Sequence, residues 1–502
     1  MAGPLFPCTT FARNLLALKA IITINECIQY DKLYANNAEI YMSARLDKDS
    51  EWLPDLKGGD GPLYLRIAGA LADARANGRL QPGDRLPPQR DLAQRLGVDL
   101  TTVTRAFAEA RRRNLIDAAP GRGTFVTPGG PDEPILDLSM NIPPPPYGIN
   151  LPMLIRTGID GLLKRSSAGA LLSYHPGPGS PAERAAGTLW LDKAAARLPV
   201  DRVAVGTGAQ CLLAAVLSSR TREGEVILAD HLTYPGFTAL AKNMKRDLAG
   251  ITADEHGMRP DLLEKAARKH GARLVYLNPT LHNPTTLIMP ERRRQDLIRV
   301  ARRAGLTFIE DDPYSPILHQ TQPSFLALAP HETIHVATLA KCISPFLRTA
   351  FLVMPDAESL GDVARHLRSL TLMTPPLMTG LAAEWIRSGI AGEIAAGVRR
   401  EAEARQAMAG SILNLSTGRA PGFHIWMSLG KGRSASDIVD KAQRRGLALS
   451  EAGEFATDGN SDVPQAVRIA LGAIPDRQKL SEALQSLAVI LTETRVFKGT
   501  LV

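Results

Sequence analysis

The sequence predicts a multidomain α/β protein in which a small winged helix-turn-helix precedes a larger module built on a mainly parallel sheet. Three observations predict it. Residues 62–128 hold three helical apolar patterns and then two short β-runs around a PGRG turn, with eleven arginines and no lysine. From about residue 135, β-rich runs alternate with helical stretches, the pattern of a parallel sheet covered by helices. Asn283, Asp311, Tyr314, Lys341 and Arg348 then fall at or just after the ends of those runs, where such sheets bind ligands.

Bulk properties set the frame. The 502 residues predict two or more domains, and 44% hydrophobic with 22% charged residues is ordinary for a globular chain. A net charge of +8 permits a polyanionic partner. Cys8, Cys27, Cys211 and Cys342 form no CxxC pair, so neither a zinc site nor a disulfide framework is expected, and a reducing cytoplasm is the simplest compartment. No apolar run reaches the roughly 18 residues of a membrane span, so no membrane partner is expected. Four asparagines lie in the first 41 residues against nine in the other 461, which sets that segment apart. Residues 1–61 are expected to be a disordered extension, with Met42 as the native start or, alternatively, a genuine tail before it.

In the first module, Leu63, Ile67, Ala70, Leu71 and Ala74 repeat at helical spacing and Gly78 stops the helix. LQPGDRLPP reads as a loop, with Pro88 in the first turn of a second helix that buries Leu92, Ala93 and Leu96. Gly97 turns the chain, and Asp99 caps a third helix with Val103, Ala106, Phe107 and Ala110 inward. Its other face carries Thr101, Thr102, Arg105 and Arg112, residue types that suit base edges and phosphates of a major groove. Leu115–Ala119 and Thr124–Thr127 make a wing with Arg122 at its tip. The block has a net charge of +5, so a DNA interface competes well with a merely solvated basic face. TPGGPDEP supplies the linker, assigned to residues 129–134, ahead of an α/β module over 135–495.

In that module VDRVAVGTG, EVILADH, ARLVYLNPT, LTFIEDD and TIHVATLA are the β-runs, with helices over stretches such as 210–220 and 290–304. GTGAQ (206–210) ends a strand and opens a helix, an anion site from backbone N–H groups and the helix dipole. Lys341 follows an apolar run, where burial lowers an amine's pKa and favours its nucleophilic form. Asp311 suits a ring nitrogen, Asn283 and Tyr314 a phenolic oxygen, and Tyr234 a ring face. Singly these have blander readings: helix cap, core tyrosine, solvated lysine. Their order and spacing match what pyridoxal phosphate (PLP) needs from a protein.

The stretches PLYLRIAGAL, GRLQPGDRLPPQRDLAQRLGV, TTVTRAFAEARRRNLI and GRGTFV resemble the winged-helix domain of the GntR family. That resemblance puts Arg85, Arg90, Thr101, Thr102, Arg105 and Gly123 at a surface for double-stranded operator DNA. GTGAQ, TYPG, NPTLHNPT, IEDDPY, TLAK…R and VRIALG resemble fold-type I PLP-dependent transferases, the aminotransferases of class I/II. It implies a Schiff base at Lys341, pyridinium pairing by Asp311, contacts to the phenolic oxygen from Asn283 and Tyr314, and stacking by Tyr234. It implies phosphate contacts from Gly208, Ala209, Gln210, Thr338 and Arg348, a carboxylate fork from Arg468, and Tyr174 reaching a neighbouring subunit's phosphate in a homodimer. It also implies a smaller C-terminal α/β subdomain. Three positions depart from the family pattern: Thr286 for a glycine, Ala340 for a serine, and Phe346 where glycine is common.

Together the two modules resemble MocR-type regulators, with heads over the partner's large domain in a head-to-tail dimer. The expected function is a PLP-binding transcriptional regulator that senses an amino compound through aldimine chemistry at Lys341. A working aminotransferase with a 2-oxo acid co-substrate, and a regulator responding to PLP itself, remain as alternatives.

Overall fold

The computed structural model describes residues 53, 61–80, 84–112, 115–119, 123–126, 135–165, 173–174, 177–192, 194–415, 421–430, 432–457 and 463–496. The expectations about Met42, the linker and Arg122 lie outside the described residues. The chain divides into two units, 1–135 and 136–502, each taken by itself below.

In the smaller unit, α1 (Leu63–Ala76), α2 (Gln89–Leu96) and α3 (Leu100–Arg112) enclose a core in which Ile67, Leu92, Val103, Ala106, Phe107 and Ala110 are fully buried. Gly97 closes α2 in the left-handed conformation at φ 64°, a cost-free place for glycine. Asp99 caps α3 by accepting the Thr101 N–H at 2.7 Å. Three details differ from the sequence reading. Pro88 is the N-cap of α2, one residue outside its first turn. Leu63 is 41% exposed at the helix start and Leu96 is only half-buried, because each sits at an end of its apolar stripe. The Pro/Gly loop contains β1 (Arg85–Leu86), which pairs antiparallel with β3 (Gly123–Val126), and β3 pairs with β2 (Ile116–Ala119). The wing is therefore three-stranded.

In the larger unit β4 (Leu136–Asp137) precedes a seven-stranded sheet. Its strands are β5 (Val203–Gly206), β6 (Val226–Asp230), β7 (Asp247–Ile251), β10 (Leu274–Leu277), β11 (Thr307–Asp311), β12 (Thr333–Thr338) and β13 (Ala350–Val353), while β8 (Ala253–Asp254) and β9 (Gly257–Met258) form a separate small hairpin. The sheet order is β5-β13-β12-β11-β10-β6-β7, and only β13 runs antiparallel to its neighbours. Alternation sorts the core. Tyr276, Ile309 and Leu352 face one side, with Leu212, Val216 and Leu367 of the helices there, while Val275, Leu277 and Phe308 face the other, with Leu263 and Leu297.

The C-terminal subdomain is an antiparallel sheet of β14 (His424–Ser428), β17 (Ala466–Ala470) and β16 (Ser450–Glu451), packed with helices 390–412, 435–444 and 477–496. β4 pairs in parallel with β15 (Leu447–Ala448), and Leu138 accepts the Ala470 N–H, so residues 136–142 are strapped to this subdomain. The strap runs so close that a Cβ on Gly472 would lie 1.8 Å from the Ile142 carbonyl oxygen.

Candidate functional site

Four parallel strands deliver polar residues to one end of the large sheet. β11 ends in Asp311, β12 leads through Thr338 into a single 3₁₀ turn ending at Lys341, and β10 runs into Asn278. β5 leads to Gly208, the N-cap of helix α4 (Ala209–Arg220). Behind Asp311, fully buried Glu310 accepts N–H groups of Phe325 and Leu326 and the His335 Nδ1 proton, which fixes the strand end.

Asp311 is buried, and its two oxygens differ. Oδ2 accepts the Tyr276 hydroxyl at 2.7 Å, while Oδ1 is buried without a hydrogen-bond partner. Burial pushes this carboxyl up to about 6. An orphaned carboxylate oxygen calls for a donor that a ligand would bring. Tyr276 is itself held by stacking on Phe237 at 3.7 Å between ring centroids, and Asn278 donates to the Asp311 carbonyl at 2.6 Å.

Lys341 donates to the carbonyl of Asn141, which the strap carries into the site. Burial first, then the Arg468 charge, pulls its amine down to about 8. Asn141 Nδ2 also donates to the Tyr314 hydroxyl at 2.9 Å and lies 3.4 Å from His424 Nδ1. Burial raises the Tyr314 hydroxyl further above its ordinary range and lowers His424 to about 3, so both are neutral. Arg468, on β17, is buried, donates to Asn283 Oδ1 at 2.8 Å and to the Ser139 carbonyl, and lies over the Phe455 ring at 4.8 Å. Its Nε is buried without a partner.

The helix end forms a second cluster. Gly208 adopts φ 89°, and a Cβ there would approach Arg348 Nη2 to 2.9 Å, so glycine lets the guanidinium reach the start of α4. Arg348 also donates to the Thr207 carbonyl at 3.3 Å. Ala209 and Gln210 open the helix, though the Gln210 amide N–H is already given to the Gly236 carbonyl at 2.7 Å. The Thr338 hydroxyl oxygen accepts the Ala340 N–H at 3.2 Å. Tyr234 is half-buried with its ring over Gly236. Tyr174 is 73% exposed. Asn141, Tyr276, Asn278 and His424 went unnamed in the sequence reading. Of these only Asn278 sat in a quoted motif at a strand end, which is the signal that could have found it.

In the smaller unit Arg85, Arg90, Thr101 and Arg105 are exposed, Thr102 half-exposed. The Thr101 hydroxyl is occupied by Asp99, and the Arg105 guanidinium lies 4.4 Å over the Tyr64 ring. Arg85 lies against Gly123, whose φ of 122° and lack of a Cβ make room for it.

A winged-helix head and a seven-stranded sheet of this order, with a lysine, a buried acid and an arginine at one sheet end, define a regulator-type fusion with an aminotransferase-like module. The family models agree: bacterial regulatory proteins of the gntR family match residues 63–126, and aminotransferase class I and II matches residues 133–487. The chain belongs to the aminotransferase class I and II family and carries a GntR-family helix-turn-helix domain, the MocR-type arrangement. It is 28% identical over 464 residues to the HTH-type transcriptional regulator YdeF of Bacillus subtilis, covering 88% of this chain and 97% of that one. It is 28% identical over 328 residues to the vitamin B6 salvage pathway transcriptional repressor PtsJ of Salmonella typhimurium, covering 60% and 69%. Among solved structures it resembles LysN, an alpha-aminoadipate aminotransferase from Thermus thermophilus complexed with N-(5'-phosphopyridoxyl)-L-leucine (TM-score 0.65, 24% identity, 72% and 93% covered). Among the described residues no helix is long and apolar enough to cross a membrane.

Proposed function

We propose that this protein is a PLP-binding transcriptional regulator that senses an amino compound at Lys341. The observation that carries the reading is the presence of a buried, half-satisfied Asp311 beside a half-buried lysine whose amine desolvation pulls down to about 8. The residues present fit the cofactor: Asp311 Oδ1 takes the pyridine N–H, Asn283 and Tyr314 serve the phenolic oxygen, and Arg348 with the start of α4 takes the phosphate. Bound there, PLP supplies an aldehyde that condenses with primary amines and a pyridinium that withdraws electrons.

The chain's own residues do the rest. Burial keeps a useful fraction of Lys341 neutral near physiological pH, and the Asn141 carbonyl fixes its Nζ. Arg468 takes the effector's carboxylate, exchanging its bond to Asn283 for the ligand. Since Arg468 and Asn141 are both bonded into the β4 strap and C-terminal subdomain, an effector held there favours one arrangement of that subdomain. It shifts DNA binding only by its differential affinity for the two arrangements. At the DNA, α3 enters the major groove with Thr101, Thr102 and Arg105, while Arg85, Arg90, Arg122 and Gly123 serve the backbone and wing. Tyr174 completes a neighbouring subunit's phosphate site in a head-to-tail homodimer.

An absorbance titration of PLP-loaded protein with amino acids, with and without a 2-oxo acid, tests the reading. A perturbed cofactor band without turnover is expected. Sustained amino transfer to the oxo acid would replace the sensor with an aminotransferase, a reading favoured by the intact Lys341–Asp311–Arg468 set. The likeness to a vitamin B6 salvage repressor favours a third outcome, DNA affinity that responds to PLP with no amino compound present.

A further inference from the structure

The large unit holds a cavity of about 450 Å³ that plays no part in the reading above. Its walls come from the end of β6, the β8–β9 hairpin, the turn after β10 and Trp426 of β14. Asp230, in this wall, is only 6% exposed, yet among the described residues no hydrogen bond reaches its carboxylate. Its nearest partner is His282 Nε2 at 3.6 Å, too long for a hydrogen bond. His282 Nδ1 lies 2.8 Å from the Thr285 hydroxyl oxygen and 3.4 Å from the Thr285 backbone nitrogen, while Nε2, the ring atom on the Asp230 side, is buried without a hydrogen-bond partner. A carboxylate and a ring nitrogen thus line one cavity with their bonding incomplete, a state that buried polar groups rarely keep.

Charge decides what belongs there. Asp230, Asp254 and Glu255 line the cavity, and no lysine or arginine is among the described lining residues. Asp254 is already held by Arg293, reaching from outside the lining, at 2.9 Å and 3.0 Å. Burial pulls His282 down to about 4, so it stays neutral and cannot serve as the counter-ion. Burial also pushes Asp230 up to about 7, so its charged form lacks solvation that a cation would replace. An ionised carboxylate has room for several donors, so a ligand cation fits beside the His282 ring without displacing it. Leu232, Leu287, Met289 and Trp426 offer an apolar wall for a short alkyl chain.

We infer that this cavity is a binding site for a small organic cation, an alkyl ammonium or guanidinium, with Asp230 as its counter-ion. It shares Asn278 with the Asp311 site, since that side chain lines the cavity, donates to the Asp311 carbonyl and accepts the Asn283 N–H at 2.9 Å. A cation here therefore bears on the loop that carries Asn283.

The test is calorimetric titration of full-length, PLP-loaded protein with n-butylguanidinium, n-butylurea and pentanoate. The guanidinium does not condense with an aldehyde as a primary amine does, so the outcome is independent of the sensor reading, while the visible cofactor band reports separately on Lys341. Binding of the cation alone, weakened at least tenfold in Asp230→Asn with the band unchanged, is expected. No binding at millimolar concentration, equal binding of the urea or the carboxylate, or full affinity in Asp230→Asn overturns the inference. Should that variant not fold, the unaltered protein titrated at pH 7 in two buffers of different ionisation heat reads the proton that Asp230 gives up. The other titratable groups lining the cavity are His231, His282, Asp254 and Glu255. Binding without proton release overturns the Asp230 assignment.

Discussion

The two units place their chemistry on opposite sides of the solvent boundary. In the winged-helix unit Arg85, Arg90, Thr101 and Arg105 are exposed. In the α/β unit Asp311, Tyr314, Asn283 and Arg468 are all buried, with Lys341 half-buried beside them. An exposed arginine attracts phosphate through a screened field, so its effect fades with salt. A buried lysine or carboxylate has its proton affinity reset by desolvation, and salt hardly touches that. Under the proposed function, arginine thus serves long-range steering in one unit and short-range recognition in the other.

The largest expected effect lies on the buried side. Lys341→Ala should abolish the covalent adduct that borohydride fixes on the chain, read by intact mass. A retained adduct would place the attachment elsewhere. Arg468→Gln should weaken a carboxylate-bearing effector by about 1.5–3 kcal/mol, roughly tenfold to a hundredfold, without loss of PLP. An unchanged effector titration would move the carboxylate site away from β17. Arg105→Ala should cost operator binding about 1–3 kcal/mol if it reads a base edge. A uniform loss across unrelated DNA sequences would make it a phosphate contact instead.

Two milder tests sharpen the same contrast. DNA affinity of the whole protein should fall steeply between 50 and 200 mM salt, while the rate of PLP attachment to apoprotein should stay nearly flat. That rate should depend on pH instead. The neutral amine of Lys341 is the nucleophile and titrates at about 8, so attachment rises with pH below that value and levels off above it. A profile still rising through pH 10 would mean that the amine is not desolvated.

The sequence reading reached further into the buried site than into its supports. Lys341 and Asp311 have chemistry that stands out at strand ends, and Asn283 and Arg468 stand in the legible stretches HNPT and VRIALG. Asn141 has no such mark, since it lies in SMNIPPP and is brought to Lys341 only by a strap whose path depends on β15, some 300 residues later. Tyr276 reads as one more apolar strand position, and its hydroxyl gains meaning only from the parallel register that lays β10 beside β11. Strand β13 reverses direction within the sheet, which neither composition nor periodicity encodes. β1 was hidden because two residues inside a Pro/Gly loop carry no period, and only pairing with β3 makes them a strand.

That short strand changes what the head must spend when it meets a duplex. A loop arginine loses backbone and side-chain freedom on docking, about 0.5–1.5 kcal/mol for the side chain alone. Arg85 sits on a strand already paired with Phe125, its guanidinium resting on a glycine that leaves it room. Much of its ordering is completed when the head folds, so the DNA contact proposed for it would arrive preorganised. Loosening β1 would then slow capture of the operator even with every DNA-facing side chain intact.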